Sequence, residues 1–541
     1  MSGAFLPGLM QHWPMTVDKI IAHAKRTHPW RPVVARGVDG EIRRSTYGEV
    51  YDVARRVSAA LLRRGVRQGE RVATLAWNTE RHMAVWYGIA GIGAVYHTLN
   101  PRLFPAQLAW IAREGGARFV FADASFVPLL ESLEDSLPHV EAFILLTGQG
   151  QAPKTRLRNA IGFEAFLAEG DGAEPVWGDF DENAACGLCY TSGTTGEPKG
   201  VLYSHRSTML LMLFQGLAFG FGQDAVLLPA VPMFHANGWG IPFLAPALGA
   251  KLVLPGPFLD GASLYGLMES EGVVWAAGVP TLWLSLFSHV SENKLAFSTL
   301  KKLRIGGAPT PPTLAAAFER LGVAVSPGWG MTESGPIGTS GGVAPEDEAR
   351  GEEAELAARM RQGRNAFGIE MKIVDEEGRD LPRDGKAMGR LTIKGATVAK
   401  AYFRQDAAIL DARGYLDTGD IATIDPWNVM QIADRAKDII KSGGEWISSV
   451  ELEGIASSHP ACDKCAVIGI PDLKWGERPM LIVQLKPGAS ATPDDYRSHF
   501  DGKIARWQAP DRVEFVQEIP LGPTGKIDKK ALRRLFSRPQ S

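Results

Sequence analysis

Between residues 46 and 146 the chain alternates amphipathic helical patterns with short apolar runs, and this alternation restricts the fold more than any other feature. TYGEVYDVARRVSAALLRRG places apolar residues at helical spacing and stops at a glycine. RVATLAW is a short apolar run bounded by charge. RHMAVWYGIAGIGAVYHTLN is helical and then extended, and ARFVFAD and EAFILLTG are two further short strands. Helices interleaved with short buried strands need crossover connections, so the expected fold class is α/β with a mostly parallel sheet. At 541 residues and roughly 150 residues per domain, length alone gives three or four units, or one large α/β body with an appendage.

The pattern changes further along. Residues 154–183 are mixed and polar and read as a connection over the surface, and GGVAPEDEARGEEAELAARMRQ reads as a charged, exposed helical insertion. From Phe367, EMKIVDEEGRDLPRDGKAMGRLTIKG has the strand-turn-strand punctuation of a small β-subdomain. After Asp434, the helical SSVELEGIASSHP and the strands CAVIGIPD, MLIVQLKP and RVEFVQEIP form a third style, a compact α+β domain closing the chain.

Several functions are excluded. Lys+Arg is 58 and Asp+Glu is 60, so a net charge of −2 supplies no bulk attraction to nucleic acid or anionic membrane. No uninterrupted apolar run is long enough to span a bilayer. The first residues lack a basic region and are broken by Pro7 and Pro14, so a signal peptide is not expected and the expected location is the cytoplasm. Cys186/Cys189 and Cys462/Cys465 form two nominal CxxC pairs. The gap between them far exceeds the roughly 15–20 residues of a shared zinc site, so four reduced cysteines and no metal cluster are expected.

The strongest local chemical signal is Thr191-Ser-Gly-Thr-Thr-Gly-Glu-Pro-Lys-Gly200. Gly193, Gly196 and Gly200 allow close backbone approach and offer N–H donors. Ser192, Thr194 and Thr195 add hydroxyls, and Lys199 adds a cation, which is what polyphosphate binding requires. The spacing is not that of a Walker A loop.

Four more segments occur in order: Gly328-Trp329-Gly330-Met331-Thr332-Glu333, Tyr415-Leu-Asp-Thr-Gly-Asp420, Asp434-Arg435-Ala-Lys437-Asp-Ile-Ile-Lys441, and Pro523-Thr-Gly-Lys526. Together with YTSGTTGEPKG they resemble the phosphate loop, YGxTE motif, ribose-binding TGD motif, hinge and terminal lysine loop of the adenylate-forming superfamily. That superfamily contains acyl-CoA synthetases, adenylation domains of peptide synthetases and beetle luciferases, and the chain is most similar to bacterial medium- and long-chain fatty acyl-CoA ligases. The resemblance implies a large N-terminal adenylation domain over 1–433, a hinge over 434–439 and a mobile C-terminal domain over 440–541.

It also implies roles. Thr191 and Glu333 would hold Mg2+, a hard cation favouring oxygen. Ser192, Gly193, Thr194, Thr195, Gly196, Gly307, Gly328, Gly330 and Thr332 would line the ATP site with Lys199. Trp329 stands where the family has a Tyr that stacks on adenine, so a hydrogen bond from a phenol hydroxyl is missing. Asp420 would accept the ribose hydroxyls, and Arg435 would contact ribose or phosphate. Lys437 would be the hinge, Lys441 and Trp446 would contact nucleotide, and Gly443 and Gly444 would face the coenzyme A path. Lys526 would bridge the incoming carboxylate and the α-phosphate.

The implied reaction is ATP-dependent adenylation of a carboxylic acid followed by attack of the coenzyme A thiol, with no protein nucleophile. His235, Ala236 and Trp239, in Val231-Pro-Met-Phe-His-Ala-Asn-Gly-Trp239, would form the acyl pocket, with Phe234, Phe243 and Trp283 nearby in an apolar stretch. The expected substrate is a medium- or long-chain fatty acid, and the family resemblance implies a homodimer. The alternatives are a short thioether acid such as methylmercaptopropionate, an aryl acid, an adenylation enzyme loading a carrier protein, a non-catalytic nucleotide binder, and a luciferase-like oxygenase.

Overall fold

The helix Tyr47–Arg63 starts where Thr46 closes a capping box with Glu49, and it is followed by Gly65 at φ 75°. Its buried face, with Val50, Ala54, Val57 and Leu61 among others, repeats at helical spacing. It packs on the helix Glu80–Gly91, where Ser58 Oγ donates to the Gly88 carbonyl at 2.6 Å. A Cβ at Gly88 would lie 2.7 Å from the Ala54 carbonyl oxygen, so only glycine admits this approach.

The computed structural model describes residues 6, 8–148, 154–191, 197–443, 445–522 and 527–536. The chain forms two compact units, one over 1–99, 109–225 and 232–257, the other over 100–108, 226–231 and 258–541.

In the first unit, strands run in the spatial order Ala160–Gly162, Ala142–Leu145, Phe119–Ala122, Arg71–Leu75, Val95–Thr98, Ala185–Thr191 and Lys199–Ser204. Successive neighbours are parallel up to Ala185–Thr191, and Lys199–Ser204 is antiparallel to it. This is the expected α/β sheet. Pro32–Arg36 pairs parallel with Lys251–Leu254 and antiparallel with Ile42–Thr46. The 154–183 connection is not purely a surface crossing. It contributes the edge strand Ala160–Gly162 and the helix Phe163–Glu169, whose Phe163, Phe166 and Leu167 are buried at i, i+3, i+4 spacing.

In the second unit, Val226–Pro229, Trp275–Gly278, Lys302–Ile305 and Ala324–Pro327 are successive parallel strands. The expected β-subdomain is the antiparallel set Ile369–Val374, Gly389–Gly395, Leu416–Ile424 and Met430–Arg435. The expected helical insertion is two short helices, Pro345–Glu348 and Glu352–Met360, separated at Gly351 with φ 92°. It is not simply solvated. Asp347 and Ala358 are buried, and Arg359 pairs with Glu319 at 3.2 Å.

The last part of the unit has strands Ile440–Ser442, Glu445–Ile447, Cys462–Asp472, Gly476–Leu485 and Arg512–Val516. One core there gathers Ile440, Leu452, Val467, Leu481 and Tyr496, and another gathers Ile468, Met480, Ile482 and Leu532. Cys186, Cys189, Cys462 and Cys465 are buried and not joined in disulfides. Among the described residues no group of three or more His, Cys, Asp or Glu is placed to hold a metal ion. No helix among them is long and apolar enough to cross a membrane.

Candidate functional site

In the first unit, the antiparallel strands Ala185–Thr191 and Lys199–Ser204 place Thr191 directly opposite Lys199. Directly opposed residues project to the same face of an antiparallel pair, so a hydroxyl and an ammonium stand side by side where the two strands end. Ser192, Gly193, Thr194, Thr195 and Gly196 lie outside the described residues.

The acyl segment is fastened at Met233, whose N–H donates to Asn78 Oδ1 at 2.7 Å. His235 is exposed. From Ala236 to Gly240 the backbone is left-handed, with φ of 37°, 43°, 56°, 52° and 75°. For a non-glycine residue that region costs about 1–2 kcal/mol, and Ala236, Asn237 and Trp239 all occupy it. Asn237 is buried near Thr98 Oγ1 and the Tyr96 hydroxyl, both at 3.5 Å. Gln215 Nε2 donates to the Trp239 carbonyl at 2.5 Å. Tyr96 stacks on Trp86 at 4.8 Å, and Phe243 lies 5.9 Å from Trp86.

In the second unit, the strand Ala324–Pro327 leads into the Gly328–Glu333 segment, and Arg304 fixes it there. The Arg304 guanidinium donates to the carbonyls of Pro327 at 2.7 Å and Thr339 at 2.6 Å. Burial lowers its pKa to about 10, still charged at neutral pH. A Cβ at Gly328 would lie 1.9 Å from that guanidinium, and one at Gly330 would lie 1.8 Å from the Pro336 carbonyl oxygen. Both glycines are therefore required by close approach. Gly307 has φ 78°.

Trp329 packs its ring against Gly338 and donates its indole N–H to Asp420 Oδ2 at 2.8 Å. The antiparallel register puts Asp420 opposite Arg435, and Arg435 Nε meets Asp420 Oδ1 at 2.9 Å. Three residues of three separate motifs are thus brought together on one carboxylate, with Asp420 only 3% exposed. Thr332 and Glu333 are buried, and Glu333 Oε1 accepts from the Tyr402 hydroxyl at 2.8 Å. Burial, reinforced by the Glu333 charge, raises the Tyr402 pKa, so the phenol stays a donor.

Lys437 is exposed, beside a buried neighbour. Asp434 Oδ2 accepts from both the N–H and the hydroxyl of Ser449 at 2.6 Å, and burial raises its pKa. Lys441 is paired with Glu376 at 2.6 Å and lies opposite Trp446 across a hairpin, 5.8 Å from its ring. Gly443 has φ 62° and donates its N–H to the Trp475 carbonyl at 2.8 Å. Gly444 and Lys526 lie outside the described residues.

Sequence reasoning missed Arg304, Tyr402 and Gln215. Arg304 carried a signal, a lone cation inside the apolar strand LRIGG. Tyr402 and Gln215 carried none, since each acts through a contact made only on folding.

The sequence profile of the AMP-binding enzyme family matches residues 21–403, and that of the AMP-binding enzyme C-terminal domain matches 451–526. The chain is 43% identical over 532 residues to a 3-methylmercaptopropionyl-CoA ligase of Ruegeria lacuscaerulensis, covering 98% of each. It is also 43% identical over 532 residues to a medium-chain-fatty-acid–CoA ligase of Ectopseudomonas oleovorans, covering 98% of this chain and 97% of that one. The crystal structure of the anthranilate CoA ligase AuaEII with anthranoyl-AMP superposes with a TM-score of 0.84 at 26% identity, covering 97% and 98% of the two chains. These matches along nearly the whole length, and the shared α/β architecture, show that the chain belongs to the AMP-binding enzyme family as an adenylate-forming acyl-CoA ligase, with a carboxylic acid, ATP and coenzyme A as its substrates.

Proposed function

We propose that the acid is a fatty acid of medium or long chain. The observation that carries this reading is the segment from Val231 to Leu248, where His235 is the only ionisable side chain among aromatic and aliphatic residues. Beyond His235 and the Asn237 carboxamide such a stretch offers a polar tail no partner, so it favours an apolar one. In this reading His235 lies toward the carboxylate end, and Ala236 and Trp239 border the tail. A second reading has one specific support: a relative at 43% identity is a 3-methylmercaptopropionyl-CoA ligase. That acid is isosteric with pentanoate, so an apolar path fits both.

The remaining assignments follow residue chemistry. Each oxygen of the Asp420 carboxylate has two lone pairs, so the donors Trp329 and Arg435 orient it without excluding a sugar hydroxyl. Trp329 offers its indole to the adenine. Lys199, Thr191 and the glycine-rich loop serve the phosphates. Glu333, buried and steadied by Tyr402, is an oxygen donor suited to a hard cation such as Mg2+. Mg2+, when bound, offsets charge on the pyrophosphate leaving group.

In the first half-reaction the acid's carboxylate oxygen bonds to the α-phosphorus and pyrophosphate departs. Lys526 neutralises the two anions that must meet. In the second, the coenzyme A thiol bonds to the acyl carbon and AMP departs, while Lys437 marks the turning point between arrangements of the C-terminal domain over 440–541.

The test is a panel of saturated acids from three to sixteen carbons, plus methylmercaptopropionate, scored by AMP release with and without coenzyme A. Each added methylene is worth about 0.8 kcal/mol, roughly a fourfold rise in kcat/KM, so the series should climb beyond five carbons before reaching a plateau. A maximum at five chain atoms, with the thioether preferred over pentanoate, would transfer the assignment to the second reading.

A further inference from the structure

Ala236–Gly240 is a run of five residues at positive φ, and Trp239 is its bulkiest member. L-residues hold such a turn only where their surroundings impose it. The contacts from Asn237 to Thr98 and Tyr96, at 3.5 Å, are at the limit of hydrogen bonding. The firm tie is Gln215, on the helix His205–Phe219, whose Nε2 donates to the Trp239 carbonyl at 2.5 Å.

Gln215 is 2% exposed, on a helix whose Leu211 and Phe214 are also buried. An amide is placed there at a cost unless it does something there. Its other arm, Oε1, has no hydrogen-bond partner among the described residues. A Cβ at Gly240 would fall 2.8 Å from that oxygen and 2.9 Å from Leu211 Cδ2, so the helix bears directly on the turn. One arm of the amide grips the turn, and the other is an unused acceptor beside it.

We propose that Gln215 is a specificity-determining positioning residue: by clamping the Trp239 carbonyl it fixes the left-handed turn and sets how far the indole stands into the path of the acyl tail. This rests on the reading in which Trp239 borders that tail. Gln215 touches neither substrate nor nucleotide in this assignment, so it changes which acids are accepted rather than the chemical step.

The experiment is a double-mutant cycle with Gln215→Met, which keeps length and removes the donor, and Trp239→Ala. kcat/KM is measured for saturated acids from four to sixteen carbons by AMP release with coenzyme A present. Gln215→Met should change the ratio of long-chain to short-chain kcat/KM by about threefold to tenfold, the worth of one hydrogen bond. In the Trp239→Ala background the same change should leave the ratio unaltered. Gln215→Asn, which withdraws the donor by one methylene, should shift the ratio in the same direction and serves if the Met variant folds poorly. A uniform fall at every chain length, equal in both backgrounds and accompanied by a lower Tm, would mean that Gln215 only supports the fold, and would overturn the proposal. A shifted profile in Trp239→Ala with none in either Gln215 variant would overturn it while sparing the reading beneath it. An unchanged profile in Trp239→Ala would remove that reading and the proposal with it.

Discussion

The Trp329 indole N–H donates to Asp420 Oδ2 at 2.8 Å, while Arg435 holds the other oxygen of the same carboxylate at 2.9 Å. A tryptophan in a tyrosine's place loses a hydroxyl, and here the ring edge supplies a donor instead. Trp329 therefore has two functions in the proposed site, a face for the adenine and an edge that orients the ribose acceptor.

The two functions separate by substitution. Trp329→Phe keeps a face and deletes the donor, and should raise the ATP Kd about tenfold, as expected for a hydrogen bond to a charged group. Trp329→Ala also loses the stack and should weaken binding by about tenfold more. Trp329→Tyr, with a donor at its tip, should fall between wild type and Phe. Calorimetric titration with ATP decides, and a Phe variant equal to wild type would leave the edge contact without a role.

Tyr402→Phe removes the hydroxyl that steadies Glu333. The Mg2+ concentration for half-maximal adenylation should rise by roughly tenfold, the usual scale for outer-shell partners of a metal ligand. Titration calorimetry of Mg2+ with the nucleotide complex gives a readout independent of turnover. An unchanged Mg2+ requirement would dissociate Glu333 from the cation.

Opposite losses should come from the two lysines assigned to opposite half-reactions. Lys526→Ala should abolish acid-dependent pyrophosphate exchange yet still convert synthetic acyl-adenylate and coenzyme A to thioester. Lys437→Pro fixes φ near −65° and should do the reverse. Equal loss of both half-reactions in either variant would refute the role given to that residue.

Asp123 supplies a pH-dependent stability prediction in the first unit. Burial, with Glu80 adding to it, raises its pKa to about 7 against the opposing pull of Arg81 and Arg43, while its Oδ2 accepts from the Trp77 N–H at 2.7 Å. The folded state keeps a proton that the unfolded chain releases near pH 4, so stability falls as pH rises from about 4 through about 7 and is level above. Asp123→Asn keeps the acceptor for Trp77 and escapes this titration. Its advantage over wild type should grow through that window to on the order of 2–4 kcal/mol, read by denaturant unfolding at fixed pH values. A difference independent of pH would show that the carboxyl is ionised throughout.

The sheet of the first unit was legible because burial on both faces forces near-continuous apolar strands, of which FVFA and AFIL are examples. Asp420, Arg435, Glu333 and Trp329 were legible as motif residues because the chemistry narrows the residue type at each position. The residues that hold them were not. Tyr402 reaches Glu333 across 69 positions and Arg304 reaches Thr339 across 35, so no local window contains both partners. The break at Gly351 was missed because the flanking run of Glu, Ala and Arg favours one continuous helix and masks a lone glycine.

The helix Lys529–Phe536 is moored beside the proposed pivot. It pairs Lys529 with Glu453 at 2.6 Å and Arg533 with Asp438 at 2.7 Å, and Lys529 also reaches Ser449, the partner of Asp434. Just before it, Leu521 and Ile527 form an isolated antiparallel bridge that brackets Lys526 in the sequence. A shortened chain that stopped at Lys526 would retain the lysine in its sequence and lose both ion pairs together with the bridge at Ile527. For protein engineering, a cut after Lys526 that removes no proposed reactive group would ask whether the ion pairs of this helix govern a half-reaction assigned to a side chain outside it.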